Sequence, residues 1–191
     1  MRLEETAIPG CFAVHAESHR DERGTLAKTY HAGVCAAAGL PLTIAEQFHS
    51  WSRRGVLRGM HLQGPPVHGT KLVVCLVGEV LDAVLDLRRG SPAYGRHATA
   101  ELLGERCDGV LIPGGVAHGF YVTAESALLT YSCSYAHDSQ LDIGVRWDSA
   151  GIPWPVSDPI LSARDKALPA LSEFESPFAF GPADDCGGGG R

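Results

Sequence analysis

The chain has 191 residues, 45% of them hydrophobic, with a formal net charge of −6. That length suits one domain with a proper core, and the acidic balance argues against nucleic acid or an anionic membrane as a partner. Gly 23 and Pro 12 make a turn-rich chain, which suits many short strands better than long helices.

The first 30 residues read as short β pieces around a turn at Asp21-Glu-Arg-Gly24. Glu4 and Glu5 interrupt the N-terminus, so no secretory signal is expected there, and no stretch approaches membrane-spanning length. His31 to Leu40 is Ala-rich, closed by Gly39 and followed by Pro41, the signature of a helix end. Residues 42–57 resume as strand. Six cysteines stand at 11, 35, 75, 107, 133 and 186 without a C-x-x-C pair, so reduced thiols in a cytoplasmic protein are expected.

Arg58 to Leu87 carries the densest signal. After Lys71 an apolar run reaches Val77, Gly78-Glu79 breaks it, and a second run reaches Leu87. Two such runs joined by a Gly-X pair predict a II′ hairpin. In that register Val77 faces Val80, Cys75 faces Asp82, Val73 faces Val84 and Lys71 faces Asp86. Side chains alternate faces with period two, so Lys71, Asp82 and Asp86 share one face, and the other is wholly apolar. A face mixing a lysine and two carboxylates with Val and Cys reads as cavity lining. The alternative is a solvated face with a cross-strand ion pair.

Strands are expected over 95–103 and 109–113. Ala117–Val122 and Ala127–Tyr135 predict a second hairpin with a four-residue loop, which sets His118 opposite Tyr131. That pair suits acid/base chemistry, and equally a structural contact. Ser162 opens a short helical segment in which Asp165 reads as a capping partner. Residues 181–191 read as a disordered tail beyond a single domain spanning 1–180. The predicted fold is all-β, a cupin-type double-sheet jelly roll with a few short helices.

Arg58, His61, Lys71, His118 and Tyr131 fall on or beside these strands. Arg58 and His61 differ in parity, so both can face inward only if a bulge interrupts the strand at Gly59. Histidine, lysine and tyrosine in one cavity, without an evident nucleophile, suggest proton transfer beside a carbonyl. The base needs a pKa near neutral, the enolate oxygen needs a cation, and an acid must return the proton. A metal-dependent cupin would want a second histidine two residues after His61, where Gln63 stands. A carboxylate bonded to the histidine would fix its tautomer, and Asp165 is a candidate. A non-catalytic sugar-binding cupin would keep the pocket and lack one of His61, Lys71, Tyr131 or Asp165, and all four are present.

The run Arg54-Gly-Val-Leu-Arg-Gly-Met-His61-Leu-Gln63, then Lys71-Leu-Val, then Gly78-Glu-Val-Leu-Asp-Ala-Val-Leu-Asp-Leu-Arg88, resembles the dTDP-4-dehydrorhamnose 3,5-epimerase family. So do Ile112-Pro-x-Gly-x-Ala-His118-Gly-Phe120, Tyr131, Trp154-Pro155 and Pro159-Ile-Leu-Ser-x-Arg-Asp165. The resemblance implies a homodimer that epimerises a nucleotide-linked 4-keto-6-deoxy sugar at C3, C5 or both, with neither cofactor nor metal. It implies His61 as general base, Asp165 as its dyad partner, Lys71 at the enolate oxygen and Tyr131 as the acid. Arg23, Arg58, His118 and Arg164 match substrate-contacting positions; Lys28, Glu46, Phe48, Gln63 and Asp142 complete the candidate contacts. Glu46, Phe48 and Lys28 depart from residues usual in that family, which suggests either a nucleobase other than thymine, such as guanine or cytosine, or drift at positions that contribute little to binding.

Overall fold

The computed structural model describes residues 1–181; residues 182–191, most of the predicted tail, lie outside the described part. Thirteen strands are formed among the described residues. They are β1 (Arg2–Glu5), β2 (Phe12–His15), β3 (Glu17–Asp21), β4 (Gly24–Lys28), β5 (Glu46–Arg53), β6 (Leu57–Gln63) and β7 (Lys71–Val77). Then come β8 (Glu79–Asp86), β9 (His97–Leu103), β10 (Gly109–Ile112), β11 (Val116–Val122), β12 (Ser126–Cys133) and β13 (Asp142–Gly144). The helices are short: α1 covers Ala32–Ala37 and α2 covers Ala163–Lys166. No helix among the described residues is long and apolar enough to cross a membrane.

The strands build two stacked sheets. One has the order β1-β2-β10-β7-β12-β5, the other β13-β6-β11-β8-β9, and β3 pairs only with β4. This is the expected jelly roll, but neither expected hairpin exists. β7 lies between β10 and β12 in one sheet, while β8 lies between β11 and β9 in the other. β11 and β12 are likewise split between the sheets. The residue pairs expected across those hairpins are therefore replaced by contacts across the sandwich.

Gly78 makes the first crossing. It has φ 79, and a Cβ there would sit 1.9 Å from the Ser126 carbonyl oxygen. A Gly-X pair between apolar runs looks the same whether the chain folds back within a sheet or steps to the next one.

Face assignment survives the change of partners, because alternation is a property of each strand alone. Val73, Cys75, Val80, Val84, Phe120, Val122 and Leu129 meet between the sheets in a core drawn from both. Leu72 and Val74 instead face outward, under Cys35, Leu40 and Leu42. Ala83, Leu85 and Leu87 lie on the outer face of the other sheet with Val145, Ile152 and Phe178. Each fully buried Leu, Val or Phe stabilises the sandwich by about 1.5–3 kcal/mol. Lys71, Asp82, His118 and Tyr131 occupy inward positions beside the core between the sheets.

Candidate active site

A cavity of about 550 Å³ opens beside these inward residues, within the range of small-molecule sites. Its walls include His61, Arg58 and Gln63 from β6, Lys71 from β7, His118 from β11 and Tyr131 from β12. His61 and His118 come from one sheet, Lys71 and Tyr131 from the other.

β6 can present both Arg58 and His61 because it is bulged. Against β11, His61 pairs with His118 but Arg58 pairs with Phe120, so β6 spends one extra residue. The bulge falls at Gly59, as parity required. Gly59 has φ 136, and a Cβ there would stand 2.5 Å from the Gly119 Cα. Only glycine fits such an approach. The Arg58 guanidinium is then fixed by donating to Ser52 Oγ at 3.0 Å.

Asp165 reaches the site from the far end of the chain. The Leu57 amide donates to the Ile160 carbonyl and the Ile160 amide to Gly55, which lays the C-terminal segment along the start of β6. Ser162 then caps α2, accepting from the Asp165 amide at 3.0 Å. The expected capping role is half made: the Asp165 carboxylate does not fold back on the cap but lies 2.8 Å from His61 Nε2. The Gly59 amide also donates to it, at 3.5 Å. Burial pushes the Asp165 carboxyl up, but the His61 hydrogen bond and charge, with Ser162 and Gly59, outweigh it and hold the carboxyl below the usual range. A carboxylate on Nε2 leaves Nδ1 as the nitrogen able to take up a proton.

His118 has its own carboxylate: Asp82 Oδ2 is 2.6 Å from His118 Nε2, and both residues are buried. Burial lowers the His118 pKa, against the opposing pull of Asp82. Lys71 is half-buried in the wall, makes no ion pair among the described residues, and is likewise lowered by burial. Tyr131 is 7% exposed, and burial drives its phenol well above the ordinary value. The phenol oxygen lies 3.2 Å from Ser50 Oγ, while the Phe48 ring stacks on the tyrosine at 4.6 Å. His118 meets Tyr131 edge-on at 6.3 Å, so the predicted facing of these residues holds across the sandwich and not along a hairpin.

The remaining candidates divide in two. Glu46, Phe48, Gln63, Asp142 and Arg164 line the cavity. Gln63 accepts from the Asp138 amide and pairs with His137 Nδ1, the Glu46 carboxylate accepts from the His137 amide at 2.7 Å, and Arg164 pairs with Asp142 at 2.5 Å. Arg23 and Lys28 do not line it. They stand on the β3–β4 hairpin, where Glu17 to Leu26 are all exposed and Arg23 pairs with Asp21. Sequence reasoning named neither Ser50 nor Asp82 as a site residue; the parity that Asp82 shares with Lys71 was its only signal. Among the described residues no group of three or more His, Cys, Asp and Glu side chains is arranged to hold a metal ion.

A double-sheet jelly roll with a histidine–aspartate dyad, a lysine and a buried phenol around one interior cavity defines an epimerase of the cupin type. The comparisons agree. The sequence profile of the dTDP-4-dehydrorhamnose 3,5-epimerase family matches residues 5–173. The dTDP-4-dehydrorhamnose 3,5-epimerase of Methanothermobacter thermautotrophicus is 34% identical over 90% of this chain and 95% of its own. The dTDP-4-dehydrorhamnose 3-epimerase of Streptomyces niveus is 36% identical over 91% of this chain and 85% of its own. The crystal structure of a 4-keto-6-deoxy sugar epimerase from the novobiocin gene cluster of Streptomyces spheroides superposes with a TM-score of 0.86 at 37% identity, covering 91% of this chain and 88% of that one. The chain belongs to the dTDP-4-dehydrorhamnose 3,5-epimerase family.

Proposed function

We propose that this enzyme inverts C3, C5 or both in a nucleotide-linked 4-keto-6-deoxy sugar, through an enolate and without a cofactor. His61 removes the proton beside the ketone, and Asp165 holds its tautomer and stabilises the imidazolium that forms. The Lys71 ammonium meets the oxygen at C4 as negative charge grows there. Tyr131 returns a proton. The observation that carries this reading is the placement of His61 on one sheet and Tyr131 on the other, which supports removal from one face of the sugar and return to the opposite face. Arg58 and Arg164 suit the diphosphate, with His118, Gln63 and Asp142 around the sugar. Incubation with the 4-keto sugar nucleotide in deuterated water tests it. Deuterium enters at C3, C5 or both with the wild-type chain and at neither with His61→Ala; equal incorporation by both overturns the reading.

The working unit is a homodimer. Two observations support this: Arg23 matches a substrate-contacting position and Lys28 is a candidate contact, yet both stand outside the cavity, and their hairpin is exposed, with Leu26 at 62%. A second copy can bring that hairpin to the cavity mouth. Mixing inactive His61→Ala and Arg23→Ala chains then rebuilds one complete site per mixed dimer, and activity returns. No recovery after subunit exchange refutes a shared site. The described cysteines are free thiols, which supports a cytoplasmic setting.

A further inference from the structure

The phenol of Tyr131 is held by one strand. Phe48 and Tyr131 are direct partners in the β5–β12 register, and their rings stack 4.6 Å apart at an interplanar angle of 7°. Ser50 lies two residues along β5 and so on the same face, its Oγ 3.2 Å from the phenol oxygen. Val73 flanks Tyr131 on its other side in the β7 register, and His118 closes edge-on. The ring face and the hydroxyl are thus fixed separately, by two side chains of the same strand.

β5 is the outermost strand of its sheet, and Phe48 is 42% exposed. An aromatic ring that leaves that much of itself uncovered on an edge strand contributes little to the core. What it does contribute is the stack on Tyr131, an attraction beyond area burial that depends on the orientation of the two rings. That dependence favours one tyrosine orientation over its alternatives. Proton transfer demands such precision, since an ångström of misplacement can cost about 10²-fold in rate.

We propose that Phe48 is a positioning residue for Tyr131: its ring, with the Ser50 hydroxyl, fixes the phenol where it returns the proton, and so controls reprotonation separately from proton removal at His61. This rests on the reading of Tyr131 as the acid. It also gives Phe48 a role other than contact with the nucleobase.

The test compares two rates on the same 4-keto sugar nucleotide in deuterated water: incorporation of solvent deuterium, which reports proton removal, and formation of inverted product. Phe48→Leu keeps the apolar bulk and loses the flat ring, Phe48→Ala loses both, and Phe48→Tyr keeps the ring. With the clamp, Leu and Ala slow inversion about tenfold more than exchange, and Tyr keeps the wild-type ratio. A wild-type ratio in the Leu variant, or equal disturbance in Leu and Tyr, overturns the proposal. Tyr131→Phe serves as the control. If it shifts the ratio while the Phe48 variants do not, the clamp alone is wrong; if it leaves the ratio unchanged, the acid assignment falls and the clamp with it. Phe48→Leu preserves volume at an exposed site, so a measurable folded variant remains even if Phe48→Ala melts early.

Discussion

His61 and His118 are direct partners across β6 and β11, and each is bonded through Nε2 to its own carboxylate, Asp165 at 2.8 Å and Asp82 at 2.6 Å. The two pairs differ in access. His61 is half-exposed to the cavity while Asp165 is buried behind it; His118 and Asp82 are both buried, at 4% and 3%. Only the first pair has the solvent access that a group cycling its proton through turnover requires, and this difference separates the outcomes expected at the two sites.

Asp165→Asn should lower kcat by about 10²–10⁴-fold with little change in KM. An amide can still bond His61 Nε2, but it favours the wrong tautomer and cannot stabilise the imidazolium. Steady-state kinetics on the 4-keto sugar nucleotide check this. A loss confined to KM would show that Asp165 contributes to binding and not to proton transfer.

The sequence made this site legible unevenly. Lys71, Asp82, His118 and Tyr131 could be assigned to inward faces because a two-residue period is written locally in each strand. Their partners could not. β7 and β8 bury both faces, so nothing in their pattern distinguishes a hairpin from a crossing between sheets. The Gly59 bulge was legible as a requirement, from the conflicting parity of Arg58 and His61. Asp165 stands 104 residues from His61; its local signal was only the cap at Ser162, and its pairing with His61 was legible through the family resemblance and not through spacing. Ser50 had no signal at all, since a serine on an edge strand is ordinary.

Lys71→Met should raise stability while lowering kcat by about 10²–10³-fold, the usual loss for one oxyanion partner. Burial depresses the Lys71 pKa from its ordinary 10.5, so the folded chain binds that proton less tightly than the unfolded chain. The charge therefore opposes folding at neutral pH, and the cost fades as pH rises toward 10.5. Removing it should raise Tm. Calorimetry at pH 7 checks the sign; a lower Tm would show that Lys71 is a net structural support.

His118 sets a second pH dependence. Its pKa is depressed by burial below the ordinary 6.5, so folding favours the neutral ring. A group lowered in this way contributes stability fully above about 6.5, and that contribution is lost as pH falls through the window below it. The urea midpoint of the wild-type chain should therefore fall more between pH 7.5 and pH 5 than that of His118→Gln, which keeps a hydrogen-bond donor toward Asp82 and cannot titrate. Parallel midpoints in the two proteins would place the acid sensitivity elsewhere.

Nucleotide choice is the remaining question, and the structure changes how the unusual residues read. Glu46, Phe48 and Lys28 depart from the family pattern, and a new base would be the direct explanation if all three met it. Two of them have other work. Glu46 accepts the His137 amide at 2.7 Å, and so ties the wall segment after β12 to β5. Phe48 lies with one face on Tyr131. Lys28 is exposed on the β3–β4 hairpin, outside the cavity. With those commitments Glu46 and Phe48 carry no common preference for guanine or cytosine, and Lys28 reaches a base only where a second copy brings the β3–β4 hairpin to the cavity. A competition between 4-keto sugars linked to dTDP, GDP and CDP should then favour dTDP by at least about tenfold in kcat/KM, or 1.4 kcal/mol in transition-state binding. Glu46→Gln should leave that order unchanged, because a side-chain carbonyl can accept the same amide. If GDP or CDP wins, and Glu46→Gln erases the advantage, Glu46 reads the base directly and its bond to the His137 amide is secondary.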